Sequence, residues 1–142
     1  MAKSKSLDSL IRLHRHELDD KRRVLMECYR AMASLESKKR ELEENFAKEK
    51  KALEKSGDVH YTFATYADEV RKKGLMLASQ IRETEKLIEA AKEDMMLTFG
   101  ELKKFEMTKA ERARLEEEER KLIESKIFDE IGLQIFRDKD EE

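Results

Sequence analysis

Apolar residues recur along this chain in alternating steps of three and four, the spacing of a coiled-coil seam. From Leu7 the steps fall on Leu7, Ile11, His14, Leu18, Lys21, Leu25, Cys28, Met32, Leu35, Lys39, Leu42, Phe46, Glu49 and Leu53. Ten of these 14 positions are apolar and no slip of frame is needed, so the pattern predicts one helix over about residues 5–55. At ~1.5 Å per residue such a helix is on the order of 70 Å long. The pattern stops at Lys55-Ser56-Gly57-Asp58. Gly57 suits the left-handed position that ends a helix, and Asp58 suits the N-cap of the next. The stretch Val59-His60-Tyr61-Thr62-Phe63 reads as a loop or an irregular first turn, giving a bend over about 56–62.

A second seam then lands on Phe63, Ala67, Val70, Gly74, Leu77, Ile81, Thr84, Ile88, Ala91, Met95, Thr98, Leu102 and Phe105, with Gly74, Thr84 and Thr98 as exceptions. Beyond Phe105 its steps fall on Lys109, Arg112 and Glu116 and the seam ends. Two seams of nearly equal length on either side of a glycine break are what an antiparallel hairpin requires. Folding at Gly57 sets Leu53 against Phe63, Leu42 against Gly74, Leu35 against Ile81, Cys28 against Ile88 and Ile11 against Phe105. A glycine costs about 1 kcal/mol in a helix interior, so Gly74 is expected to permit close approach to a large residue. Helix 2 is expected to run over about 63–136, longer than helix 1. Its stretch KAERARLEEEERK at 109–121 is almost wholly polar, with acid–base neighbours three and four apart that support an exposed helix. Past it, Ile123, Ile127, Ile131 and Ile135 form one i,i+4 row flanked by Phe128 and Leu133, a stripe that the hairpin leaves unpaired. It either frays, folds back, or serves as a partner surface. Residues 137–142 read as a polar, solvated tail. The fold class is therefore all-α: a single long antiparallel two-helix coiled-coil hairpin over 1–142, with the second helix longer.

Composition agrees. Charged residues make up 45% of the 142 residues, and proline and tryptophan are absent. That is the profile of long helices with narrow cores, and without proline no helix interior is forced to break. The net charge of −2 argues against nucleic acid as a partner. The charge is uneven: residues 1–57 hold 15 basic against 11 acidic groups, and residues 58–142 hold 16 against 22. The single cysteine, Cys28, fits a reducing compartment. The start has no apolar run suited to a signal peptide, and no stretch approaches the ~20 apolar residues of a spanning helix. A cytoplasmic protein without membrane insertion is expected.

No catalytic constellation, cofactor motif or Gly-rich phosphate loop is visible. His14 and His16 are two apart and point to different faces of a helix, so they fit a core-edge and a solvated histidine rather than a metal site. Cys28 on the seam fits a small buried hydrophobe. Arg12, Arg15, Lys21, Arg22 and Arg23 form a basic cluster. It either solvates an exposed face or docks onto an acidic ring or cleft. Tyr61, Phe63 and Tyr66 place three aromatics near the bend, with Tyr61 and Tyr66 off the seam as candidate binding anchors.

The opening SLIRLHRHELDDKRR, the Phe63-Ala64-Thr65-Tyr66 run after the bend, and the late run FGELKKFEMTKAERARLEEEERKL resemble the FliJ family. The resemblance covers nearly the whole chain, and Leu10-Ile11-Arg12-Leu13 followed by Asp20-Lys21-Arg22-Arg23 is its most telling part. FliJ proteins are small stalk and escort components of the bacterial flagellar type III export apparatus. The resemblance implies a two-helix hairpin similar to the stalk subunit of rotary ATP synthases. It implies no enzymatic activity and no cofactor or metal, in a protein of flagellum biogenesis located peripherally at the membrane export apparatus. Its implied partners are the export ATPase hexamer, the cytoplasmic domain of the export-gate membrane protein, and substrate chaperones, with the chain a monomer in isolation. By position, the ring contact would fall to Arg12, Arg15, Arg22, Arg23, Ile123, Ile127, Phe128, Ile131 and Ile135. The gate contact would fall to Leu42, Phe46, Phe63, Tyr66 and Val70. The equivalent stalk of a virulence injectisome shares the fold and remains an alternative, as does a parallel dimeric tether. A prefoldin-like chaperone needs β-hairpins for which the bend has too few residues.

Overall fold

The computed structural model describes residues 2–57 and 61–141, with side chains described over 5–57 and 62–141. The described chain is all-α and consists of α1 (Ala2–Ser56) and the longer α2 (Tyr61–Asp140), packed against each other. The expected cap at Asp58 and the residues Val59 and His60 lie outside the described residues.

The end of α1 is set by local chemistry. Gly57 has φ +71°, the only positive value among the described residues. Its N–H donates to the Leu53 carbonyl at 3.2 Å, the single bond of a left-handed helix cap. The Ser56 hydroxyl donates to the same carbonyl at 2.9 Å. α2 begins at Tyr61, two residues earlier than the seam predicts, because a helix needs no apolar residue to start. It also continues through residues 137–140, where a tail was expected. Arg137 and Lys139 in the last turn complement the negative end of the helix dipole, and the Gln134 amide donates to Asp138 at 3.3 Å.

The chain divides into two compact units, to each of which both helices contribute: Met1–Arg15 with Phe99–Glu142, and His16–Thr98. Within the larger unit the helices are antiparallel. Lys21 near the start of its α1 segment pairs with Asp94 at 3.0 Å, while Phe46 near the end stacks on Phe63, ring centroids 6.0 Å apart. Within the other unit Asp8 pairs with Lys109 at 2.7 Å and Arg15 with Glu106 at 3.3 Å, again antiparallel.

Burial follows the two predicted seams. Leu7, Ile11, Leu18 and Leu25 of α1 are buried, with Ile88 and Leu102 of α2. Every second-seam position from Phe63 to Phe105 is at least half-buried. The polar exceptions are satisfied locally. Thr98, the most buried side chain at 2% exposure, donates to the Asp94 carbonyl at 3.1 Å and accepts from the Lys21 ammonium at 2.5 Å. Thr84 donates to the Gln80 carbonyl at 2.8 Å. A threonine bonded back to its own helix removes the cost of burying a hydroxyl. Lys21 is a seam residue in the same sense: its stem crosses the interface and its head finds both Asp94 and Thr98.

Gly74 does not permit a close approach. It is half-buried, but a Cβ built there would meet nothing within 4 Å. At the far seam end Phe105 stacks on His14, centroids 4.9 Å apart, a contact between two flat rings.

Candidate docking surfaces

In the unit Met1–Arg15 with Phe99–Glu142, α2 outlasts its partner helix. From Met107 to Glu141 every described residue is exposed. The polar part of this stretch supports itself with pairs along its own surface. Arg114 bridges Glu111 (2.6 Å) and Glu118 (2.7 Å), and Arg120 bridges Glu117 (2.6 Å) and Glu124 (2.7 Å). The Arg114 guanidinium holds the Glu111 carboxyl below its ordinary value, and Arg120 does the same for Glu117. Beyond it stands the apolar row. Ile123, Ile127, Ile131 and Ile135 are 53%, 50%, 50% and 59% exposed, and Phe128 reaches 71%. The row neither folds back nor packs on α1 within its unit.

The basic residues divide between the units. Arg12 and Arg15 are exposed on α1 beside the α2 segment around Glu106 and Lys109, all lining one shallow hollow. Arg15 is tied to Glu106, whose carboxyl is lowered first by Lys103 and then by Arg15. Arg12 makes no ion pair among the described residues. In the other unit Arg22 and Arg23 are exposed, paired with Asp19 at 3.6 Å and Asp20 at 3.3 Å one turn earlier. Lys21, grouped with them by sequence, is committed to the seam.

The bend-proximal aromatics do form a group. Phe46, Phe63 and Tyr66 have ring centroids 6.0–6.3 Å apart. Tyr66 is therefore half-buried rather than an exposed anchor, since at i+3 from Phe63 it shares that residue's face. Leu53, the predicted partner of Phe63, lines the same hollow. Leu42 lines a second hollow with Leu77 and Met76, and Val70 is half-buried. The Tyr61 side chain lies outside the described residues.

His14 and His16 each face a neighbouring group. His14 stacks on Phe105 and lies 3.9 Å from Glu101, and His16 lies 3.6 Å from Asp20 on its own helix. Among the described residues no group of three or more His, Cys, Asp or Glu side chains could hold a metal ion. Cys28 is half-buried on the seam. No described helix is long and apolar enough to cross a membrane.

One exposed surface was missed from the sequence. Met96 and Leu97 are 68% and 69% exposed in the larger unit. The apolar run from Met95 to Phe99 is denser than a seam needs, and that excess was the available signal. No protein-family model matches the chain, and no curated protein or solved structure matches it.

Proposed function

We propose that this chain is a non-enzymatic docking protein of a type III export apparatus, acting as a two-helix stalk on the export ATPase in the manner of the FliJ family it resembles. The observation that carries the reading is the solitary stretch of α2. A soluble helix that exposes four isoleucines and two phenylalanines over about four turns has an apolar face matched to a groove on another protein. The exposed Arg12, which makes no ion pair among the described residues, adds a positive charge to the same unit, suited to an acidic rim. The half-buried Leu42, Phe46, Phe63, Tyr66 and Val70 are the proposed contact for the export gate, and substrate chaperones are the proposed cargo.

A binding panel tests the reading. The purified chain is presented to the ATPase hexamers and export-gate cytoplasmic domains of a flagellar and an injectisome system. Capture by the flagellar pair is expected, with Ile127→Asp/Ile131→Asp losing the ATPase and Phe46→Ala/Val70→Ala losing the gate. Selective capture by the injectisome pair would transfer the assignment to that system. Capture by neither would remove the export reading.

A further inference from the structure

The charged interruptions of the α1 seam are not equivalent. Lys39 and Glu49 are exposed and make no ion pair among the described residues. Lys21 is half-buried, and polar groups of α2 meet it across the seam: the Asp94 carboxylate at 3.0 Å and the Thr98 hydroxyl at 2.5 Å. All three lie in the unit His16–Thr98. Thr98 is 2% exposed, and its own hydroxyl proton goes back to the Asp94 carbonyl. One ammonium is therefore held by an acid at the rim and by an oxygen lone pair in the core. A leucine at position 21 would continue the seam without a break, and a well-packed apolar residue is often as stable as a buried ion pair or more so. Stability alone does not call for a lysine here.

We propose that Lys21, answered by Asp94 and Thr98, is a specificity device: it selects the antiparallel pairing of α1 with α2 against the parallel two-chain coiled coil that the same seams allow. In a parallel pair of copies every seam position meets itself. Lys21 would face Lys21 of the second copy, so two ammoniums would share one layer of the seam. In the hairpin the same ammonium meets a carboxylate and a hydroxyl. The lysine is satisfied in one arrangement and repelled in the other, which is discrimination by a penalty on the wrong state. A single polar residue on a seam is known to act in this way on register and on the number of strands. Leucine at position 21 would be buried equally in both arrangements. It would lift the repulsion from the parallel pair and remove an attraction from the hairpin, so both effects move the balance in the same direction. The inference does not depend on the export reading.

The native Cys28 provides the test, because it lies on the α1 seam one heptad beyond Lys21. A parallel pair brings Cys28 to Cys28 of the second copy, whereas in the hairpin it lies on the seam with α2. The full chain, Lys21→Arg and Lys21→Leu are compared by sedimentation equilibrium over the micromolar to millimolar range. Each is also oxidised with diamide and run on a non-reducing gel. Lys21→Leu is expected to strengthen two-chain association by about tenfold or more relative to the unsubstituted chain, and to give a dimer cross-linked through Cys28. Lys21→Arg keeps the charge and is expected to behave as the unsubstituted chain does. Circular dichroism and a urea melt are expected to show that Lys21→Leu keeps its helix content and its midpoint. Association of Lys21→Leu no stronger than that of the unsubstituted chain would overturn the proposal. So would an equal gain in Lys21→Arg, which would show that the charge is not the cause. A two-chain mass without the Cys28 cross-link would overturn the parallel arrangement as the excluded state. Loss of helix content and midpoint in Lys21→Leu would mean that Lys21 serves stability instead, and would overturn the specificity role.

Discussion

At the residue scale Gly57 and Gly74 behave oppositely, and each makes a prediction. Gly57 sits at φ +71°, where a Cβ is strained by roughly 1–2 kcal/mol. Gly57→Ala is expected to lower the stability by about that amount in a urea melt. Gly74 is helical with open space beyond its Cα, so Gly74→Ala is expected to stabilise by up to ~1 kcal/mol. A loss at position 74 would mean that something does approach there. Leu18, 5% exposed, is a core position, and Leu18→Ala is expected to cost about 2–3 kcal/mol, the low end for a seam that can partly collapse. Lys21 and Thr98 show where residue-scale reading fell short. Spacing alone put a lysine and a threonine on the seam as exceptions. Only the helix pairing reveals that the one answers the other, because the bond joins residues 77 apart.

At the scale of elements, α2 changes its source of stability along its length. Up to Lys109, which pairs with Asp8, it leans on α1; beyond that it depends on its own surface pairs. Glu111 and Glu117 have carboxyls lowered below the ordinary 4.5, first by the hydrogen bonds from Arg114 and Arg120. A lowered folded value means that the contribution is present above 4.5 and is lost as pH falls through the lowered value. Carbon-detected NMR is expected to show both carboxyls titrating below 4.5, and Arg114→Gln with Arg120→Gln to move them upward. Hydrogen exchange over 109–121 is expected to quicken as pH is lowered through that range, relative to the same stretch in the doubly substituted chain. The helices, their antiparallel pairing and the cap at Gly57 were legible in the sequence because a 3–4 apolar rhythm and a glycine are local signals. The early start of α2, its helical end, and the burial of Tyr66 were not. Helix ends follow capping and dipole effects that leave no apolar mark, and Tyr66 is covered by Phe46 from the other helix.

At the scale of the whole molecule, the account assigns function to what the fold leaves over. The described side chains bury two seams and satisfy the threonines that interrupt them, and they leave one apolar row without a neighbour in its unit. That row was visible in the sequence as a stripe without a partner. What covers it was not, because half of a docking surface is written in the partner's sequence. The export reading places an ATPase ring there, so the position of the partner is the central claim. The direct measurement is hydrogen–deuterium exchange of the full chain with and without the export ATPase hexamer. The account predicts that protection concentrates over residues 122–136 and vanishes for Ile127→Asp/Ile131→Asp. Binding that protects other residues and leaves 122–136 unchanged would contradict it.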